Sequence, residues 1–246
     1  MRLVFLGTTG YHPSETRHTL CLMLPECGLM LDAGTSLFRA VDYLETPALD
    51  IFLTHAHLDH IIGLTYLFDL LYLKPLERIT VHAEADKLRA IDEHLFFPAI
   101  FPKKPPFEGR ALAADVPLPQ GGRLHWFPLT HPGGVVGYRL DWPGHSMAYV
   151  TDTTATVDVR YLDEIRGVDL LVHECYFADG MEEWTDVTGH SCTTPVAQVA
   201  RAADVGRLVL VHLNPLAAEP DPIGIERARS IFPRTELASD RMEIEF

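Results

Sequence analysis

The segment Thr54-His55-Ala56-His57-Leu58-Asp59-His60-Ile61-Ile62-Gly63 packs three imidazoles and a carboxylate into six residues. It follows the run Leu49-Asp50-Ile51-Phe52-Leu53, whose branched apolar side chains read as a buried strand. After Gly63, Leu64, Leu67, Phe68, Leu70 and Leu71 recur with helical spacing. The cluster therefore sits where a strand turns into a helix, and loop side chains there can converge on one point. A His-rich surface turn would not carry apolar chain on both flanks. Imidazole nitrogen and carboxylate oxygen at such short spacing are the donors that zinc, iron or manganese select, so the segment reads as a metal site.

A chain of 246 residues with 47% hydrophobic content can bury a sizeable core, and no break in composition marks a linker. The expectation is a single α/β domain over residues 1–246. The apolar run at Leu3-Val4-Phe5-Leu6 is too short for a signal peptide, and none reaches the roughly 18 residues of a membrane span. Cys21, Cys27, Cys175 and Cys192 are scattered without a Cys-x-x-Cys pair, which points to reduced thiols and a cytoplasmic protein. The formal net charge is −14, and the Lys103-Lys104 pair is the one basic doublet with lysines. Phosphate neutralisation supplies most of the affinity of proteins that grip long nucleic acids, so extended nucleic acid binding is disfavoured. A short phosphodiester is not, because bound divalent cations would offset the negative charge locally.

Along the chain, strand and helix patterns alternate in two halves. Leu3–Leu6, Leu20–Leu24 and Leu29–Asp32 read as early strands separated by Gly- and Pro-bearing turns. Ile79–Ala83 reads as a further strand leading into a helix near Ala85–His94. The second half repeats the theme, with strands at Asp169–His173 and Leu208–Leu213 around an amphipathic helix at Pro195–Ala203. Phe96–Gly122 is rich in Pro and Gly without sustained periodicity, and reads as a surface loop that packs its own aromatics or as a lid near the metals.

His-x-His-x-Asp-His after a buried strand resembles the metal motif of the metallo-β-lactamase fold hydrolases. That resemblance implies a four-layered αββα sandwich and a dinuclear site completed by a later His, an Asp and a final His. Each is available at the end of a strand-like run: His131 after Arg123–Thr130, Asp152 after Ser146–Thr151, and His212 after Arg207–Val211. Carried over residue by residue, the motif gives His55, His57 and His131 to one metal and Asp59, His60 and His212 to the other, with Asp152 bridging. The implied cofactors are two divalent ions, zinc first, with manganese or iron fitting the same donors. Asp32, which ends a strand before Gly34, is a candidate supporter of a ligand histidine.

Two further segments resemble boxes of ribonuclease Z and its relatives. They are Leu170-Leu171-Val172-His173-Glu174-Cys175-Tyr176-Phe177 and Thr188-Gly189-His190-Ser191-Cys192-Thr193-Thr194-Pro195. The start, Phe5-Leu6-Gly7-Thr8-Thr9-Gly10 through Pro13 and Arg17, is also similar to that group. The chemistry implied is phosphodiester hydrolysis by hydroxide generated on the metals. Asp59 would accept the proton of the attacking water. His190 would protonate the leaving alkoxide, with Glu174 orienting its ring and favouring the imidazolium. His173 faces the other way on a regular strand and reads as a packed histidine, and Cys192 as a small spacer.

The departures matter as much. Ribonuclease Z carries a long tRNA-holding arm between its third His and the bridging Asp. Here Pro132–Thr151 is filled by a hairpin-like segment, and no basic segment replaces the arm. The expectation is therefore a small or cyclic nucleotide-like phosphodiester substrate. The alternatives are tRNA 3′ processing without an arm, with recognition borrowed from the second copy of a homodimer, and ester, thioester or lactone hydrolysis on the same metals.

Overall fold

The computed structural model describes every residue except Val157 and Ala218. Its strands in chain order are β1 (Arg2–Gly7), β2 (Cys21–Leu24), β3 (Leu29–Leu31), β4 (Ala48–Phe52), β5 (Arg78–Ala83), β6 (Glu108–Ala111) and β7 (Asp115–Leu118). They continue with β8 (Gly122–Leu129), β9 (Val135–Trp142), β10 (His145–Val150), β11 (Leu170–Glu174), β12 (Arg207–Val211), β13 (Thr235–Leu237) and β14 (Glu243–Glu245). The α-helices are α1 (Ala40–Tyr43), α2 (Leu58–Ile61), α3 (Leu67–Leu73), α4 (Ala85–Ala90), α5 (Glu182–Thr188), α6 (Thr193–Ala202) and α7 (Ile225–Ile231).

These elements form two compact units, Met1–Ala113 with Ser239–Glu245, and Ala114–Ala238 with Phe246. The first holds a seven-stranded mixed sheet in the order β14-β1-β2-β3-β4-β5-β6. Pairings are antiparallel from β14 to β3 and parallel from β3 to β6. The second holds β7-β8-β9-β10-β11-β12-β13, antiparallel from β7 to β10 and parallel from β10 to β13. The two sheets thus repeat one pattern. In both, β3 and β10 sit where antiparallel pairing gives way to parallel; Asp32 directly follows β3, and Asp152 lies two residues past the end of β10.

Strand residues alternate between faces, so one face of each sheet meets its own helices. In the first unit Val4, Leu6, Met23, Met30, Leu49, Ile51 and Val81 cluster with Leu64, Leu67 and Leu70 from the segment after the histidine motif. In the second, Ala148, Val150, Leu171, Leu208 and Leu210 cluster with Val196, Ala197, Val199 and Ala200 of α6. These apolar pairs at helical spacing explain why α6 forms where the sequence pattern places it.

Phe96–Gly122 differs from its sequence reading in part. It contains two short edge strands, β6 and β7, that pair with β5 and β8 respectively. Glu108-Gly109-Arg110-Ala111 has no alternation to read, because all four residues of this edge strand are exposed, and Asp115-Val116-Pro117-Leu118 is a short edge strand interrupted by Pro117, with only Leu118 buried. The segment does pack its own aromatics: Phe96 lies 5.7 Å from Phe101 and 5.8 Å from Phe107 between ring centroids, and Phe101 stacks on Phe68 at 6.5 Å. Those rings join the first unit's core instead of forming a mobile cover.

Candidate functional site

In the first unit the histidine motif occupies the turn from β4 into α2. His55 and His60 are buried, Asp59 is half-buried and His57 is exposed. The His55 ring lies 4.4 Å from that of His57 and 4.3 Å from that of His60. Asp32, fully buried, organises this group. Its carboxylate accepts from the Thr54 N–H at 2.8 Å, from the Thr54 hydroxyl at 3.0 Å and from His60 Nδ1 at 2.8 Å. The Thr54 hydroxyl, committed to Asp32 as donor, accepts in turn from His55 Nδ1 at 3.0 Å. One carboxylate therefore fixes the tautomer of two histidines and makes Nε2 the basic nitrogen in both, an arrangement that suits metal coordination. Asp32 does what its place in the sequence suggests.

Asp59 is held by the early loop. Its Oδ2 accepts the Tyr11 N–H at 2.7 Å, and its backbone carbonyl accepts the Thr19 hydroxyl at 2.8 Å. The loop is anchored by Asp240, which accepts from the Thr8 hydroxyl at 2.7 Å, the His18 N–H at 2.8 Å and Arg39 at 2.6 Å. Tyr11, Thr19 and Thr54 carry no metal-type donor, and sequence spacing gives no sign of these long-range contacts. The close packing of motif and strand end also explains Gly63: a Cβ there would lie 2.3 Å from the Gly34 carbonyl oxygen.

In the second unit His131, Asp152, Glu174, His190 and His212 gather at the ends of β8, β10, β11 and β12. Asp152 is the hub. Its Oδ1 lies 3.2 Å from His212 Nε2 and its Oδ2 lies 3.6 Å from His131 Nε2, so its two oxygens face different imidazoles. His131 Nδ1 donates to the Gly189 carbonyl at 3.1 Å, which again makes Nε2 the basic nitrogen. Gly189, with φ of 76°, caps α5, and a Cβ on it would lie 2.6 Å from His131 Nδ1. Asp152, His190 and His212 each offer a ligand atom within 4.8 Å of the other two. The donor chemistry of both units fits divalent metal: imidazole nitrogens with assigned tautomers beside carboxylate oxygens.

Glu174 is completely buried and saturated with donors. It accepts from His190 Nδ1 at 3.1 Å, the Thr153 N–H at 2.8 Å and the Ser191 N–H at 3.2 Å. The Ser191 hydroxyl donates to the Thr153 carbonyl at 2.6 Å and accepts from the Ala155 N–H at 2.8 Å. Glu174 and Ser191 together hold the turn after Asp152 as well as the ring of His190. The latter also stacks on Tyr176 at 4.6 Å between centroids. His173 faces the other way, as expected: Nδ1 donates to the Glu174 carbonyl at 2.7 Å, and Tyr161 Oη lies 2.8 Å from Nε2. Burial lowers its pKa below the ordinary 6.5. The Cys192 thiol is buried and pushed up to about 11 by that burial, which suits an inert spacer.

Comparison with known proteins agrees with this arrangement. Residues 29–213 match the Beta-lactamase superfamily domain. Ribonuclease Z from Methanothermobacter thermautotrophicus is 29% identical over 304 aligned positions, covering 100% of this chain and 96% of the relative. Ribonuclease Z from Synechococcus sp. strain CC9902 is 30% identical, covering 100% and 98%. Among solved structures, the metallo-β-lactamase fold protein YhfI from Bacillus subtilis superposes with a TM-score of 0.82 at 19% identity, covering 99% of both chains. The short form of human tRNase Z gives 0.75 at 21% identity, covering 100% of this chain and 99% of the other. The chain belongs to the β-lactamase superfamily, as a metal-dependent hydrolase of the metallo-β-lactamase fold similar to ribonuclease Z.

Proposed function

We propose that this protein hydrolyses phosphodiester bonds in a small or cyclic nucleotide-like substrate. Two divalent metals, zinc first, would be held by His55, His57 and His131 for one ion and by Asp59, His60 and His212 for the other, with Asp152 between them. When bound, such ions activate a water and neutralise charge on the phosphate. The chain's own residues do the rest. Asp59, its Oδ2 steadied by the Tyr11 N–H, takes the proton of the attacking water. His190 gives a proton to the departing alkoxide from Nε2, because Glu174 engages Nδ1. The observation that carries this reading is the Glu174–His190 pair, buried on one side and ringed by ligand-type groups on the other. Hydrolysis of an activated ester on two metals has no need of such a proton donor.

A small substrate is favoured by the chain between His131 and Asp152. It is the plain antiparallel hairpin β9–β10, with no inserted arm. The net charge of −14 likewise disfavours binding of a long polyanion. A second reading, tRNA 3′ processing, is favoured by relatives named ribonuclease Z that align over the whole chain.

The test is turnover of bis(p-nitrophenyl) phosphate and of adenosine 3′,5′-cyclic phosphate, whose leaving group is an alkoxide, with metal content measured in parallel, for the wild type and His190→Gln. A chelator should abolish turnover, and His190→Gln should keep its metal while losing about 10²–10⁴-fold in rate on a substrate with a poor leaving group. A variant that loses one ion would make His190 a ligand instead. Cleavage of a pre-tRNA with no turnover of small diesters would favour the second reading.

A further inference from the structure

Beside the residues already assigned, the second unit carries an open cleft of about 400 Å³. Three of its lining residues are tied to the site. Thr130 immediately precedes His131. Thr153 immediately follows Asp152, gives its N–H to Glu174 at 2.8 Å, and accepts the Thr130 N–H on its hydroxyl at 3.4 Å. Tyr161 forms part of the lining and is held by His173, the neighbour of Glu174. The direction of that bond follows from the other ring nitrogen. Nδ1 faces a carbonyl, which can only accept, so Nε2 accepts and the Tyr161 hydroxyl donates. The cleft is therefore fixed by the same strand ends that fix His131, Asp152 and Glu174.

Its chemistry is selective. Thr154 and Thr156 add hydroxyls to those of Thr130 and Thr153, while Leu129 and the ring of Tyr161 supply apolar surface. One carboxylate, Asp158, and one guanidinium, Arg160, complete the lining, and both are exposed to an incoming ligand. A carboxylate only accepts hydrogen bonds, so it calls for ligand hydroxyls. A guanidinium only donates and calls for an anion. A bare phosphate would meet repulsion from Asp158, and a neutral sugar would leave Arg160 unused. A unit with vicinal hydroxyls, a phosphate and a ring satisfies the whole set, and a cleft of this size admits it.

We infer that this cleft takes one ribonucleotide unit of the substrate, with Asp158 accepting from the ribose hydroxyls and Arg160 meeting the adjoining phosphate. The inference rests on the phosphodiester reading above, and deepens it into selection of ribose over deoxyribose. An acidic side chain on the 2′-hydroxyl is an economical way to make that distinction.

Isothermal titration of the metal-loaded protein with uridine 3′,5′-bisphosphate and its 2′-deoxy counterpart tests it without requiring turnover. The wild type should bind the ribonucleotide about tenfold more tightly, the effect of one hydrogen bond to a charged group. Asp158→Ala should bring the two affinities within about twofold, and Arg160→Gln should weaken both by a similar factor. Equal wild-type affinities, a preference that survives in Asp158→Ala, or no binding of either ligand would overturn the inference. Ribose-selective binding by a protein that turns over no phosphodiester would sink the reaction reading and leave the cleft standing. Turnover without the preference would do the reverse.

Discussion

Asp32, Asp152 and His212 have φ of 58°, 50° and 56°, in the left-handed region that side-chain-bearing residues seldom occupy. Asp32 and His212 directly follow β3 and β12, Asp152 lies two residues past β10, and Tyr11, whose N–H meets Asp59, joins them at 62°. Strained residues gather where surrounding contacts over-determine a geometry, and here they aim ligand-type groups off strand ends. Asp32 makes the clearest case, since it orders His55 through Thr54 and His60 directly. Asp32→Asn keeps the shape and tolerates the backbone, but weakens the acceptor. It should lower zinc affinity about 10–100-fold in a chelator competition, with little change in the folded far-ultraviolet spectrum. A second prediction concerns His173. Its native pKa lies below the unfolded 6.5, so the unfolded chain binds the proton first on acidification. The stability held above that value should fall as pH drops below it, and His173→Gln should flatten this acid limb in urea denaturation of the metal-free protein. At this scale His55, His57, Asp59 and His60 were legible in the sequence, because His and Asp at close spacing announce themselves, whereas His131, Asp152 and His212 were reached only through the family resemblance. Thr54, Thr19 and Ser191 were not, since their roles arise from contacts between distant segments.

The elements that position the site are short and rely on particular turns. Gly189 ends α5 in the left-handed region and presents its carbonyl to His131. Gly189→Ala should destabilise the protein by about 1–2 kcal/mol in chemical denaturation, from the strained backbone alone. The crowding of His131 Nδ1 should add a loss of metal affinity that a merely strained cap would not produce. Ser191→Ala removes one donor and one acceptor from the turn after Asp152, at a cost of about 1–3 kcal/mol for a buried pair left unmatched. Ser191→Thr, if accommodated, should restore part of it. Buried strands were readable as apolar runs, and α6 from its periodicity. β6 and β7 were not, because exposed edge strands carry no such pattern and take their form from the neighbours they pair with.

For the molecule as a whole, the two sheets repeat one order of pairing, with Asp32 one residue past β3 in one half and Asp152 two residues past β10 in the other. One aspartate has become the support of ligand histidines, the other a hub among them. Sequence motifs disclosed the family because its donors are local in the chain, and the family match over 29–213 agrees. The proposed preference for a small substrate is a whole-molecule reading, drawn from the short chain between His131 and Asp152 and from the net charge. The most direct measurement is a titration of metal-stripped protein with zinc while following bis(p-nitrophenyl) phosphate hydrolysis. The account predicts turnover that rises with added metal to a plateau at two equivalents per chain. Full turnover in stripped protein, or none in protein holding two equivalents, would contradict it.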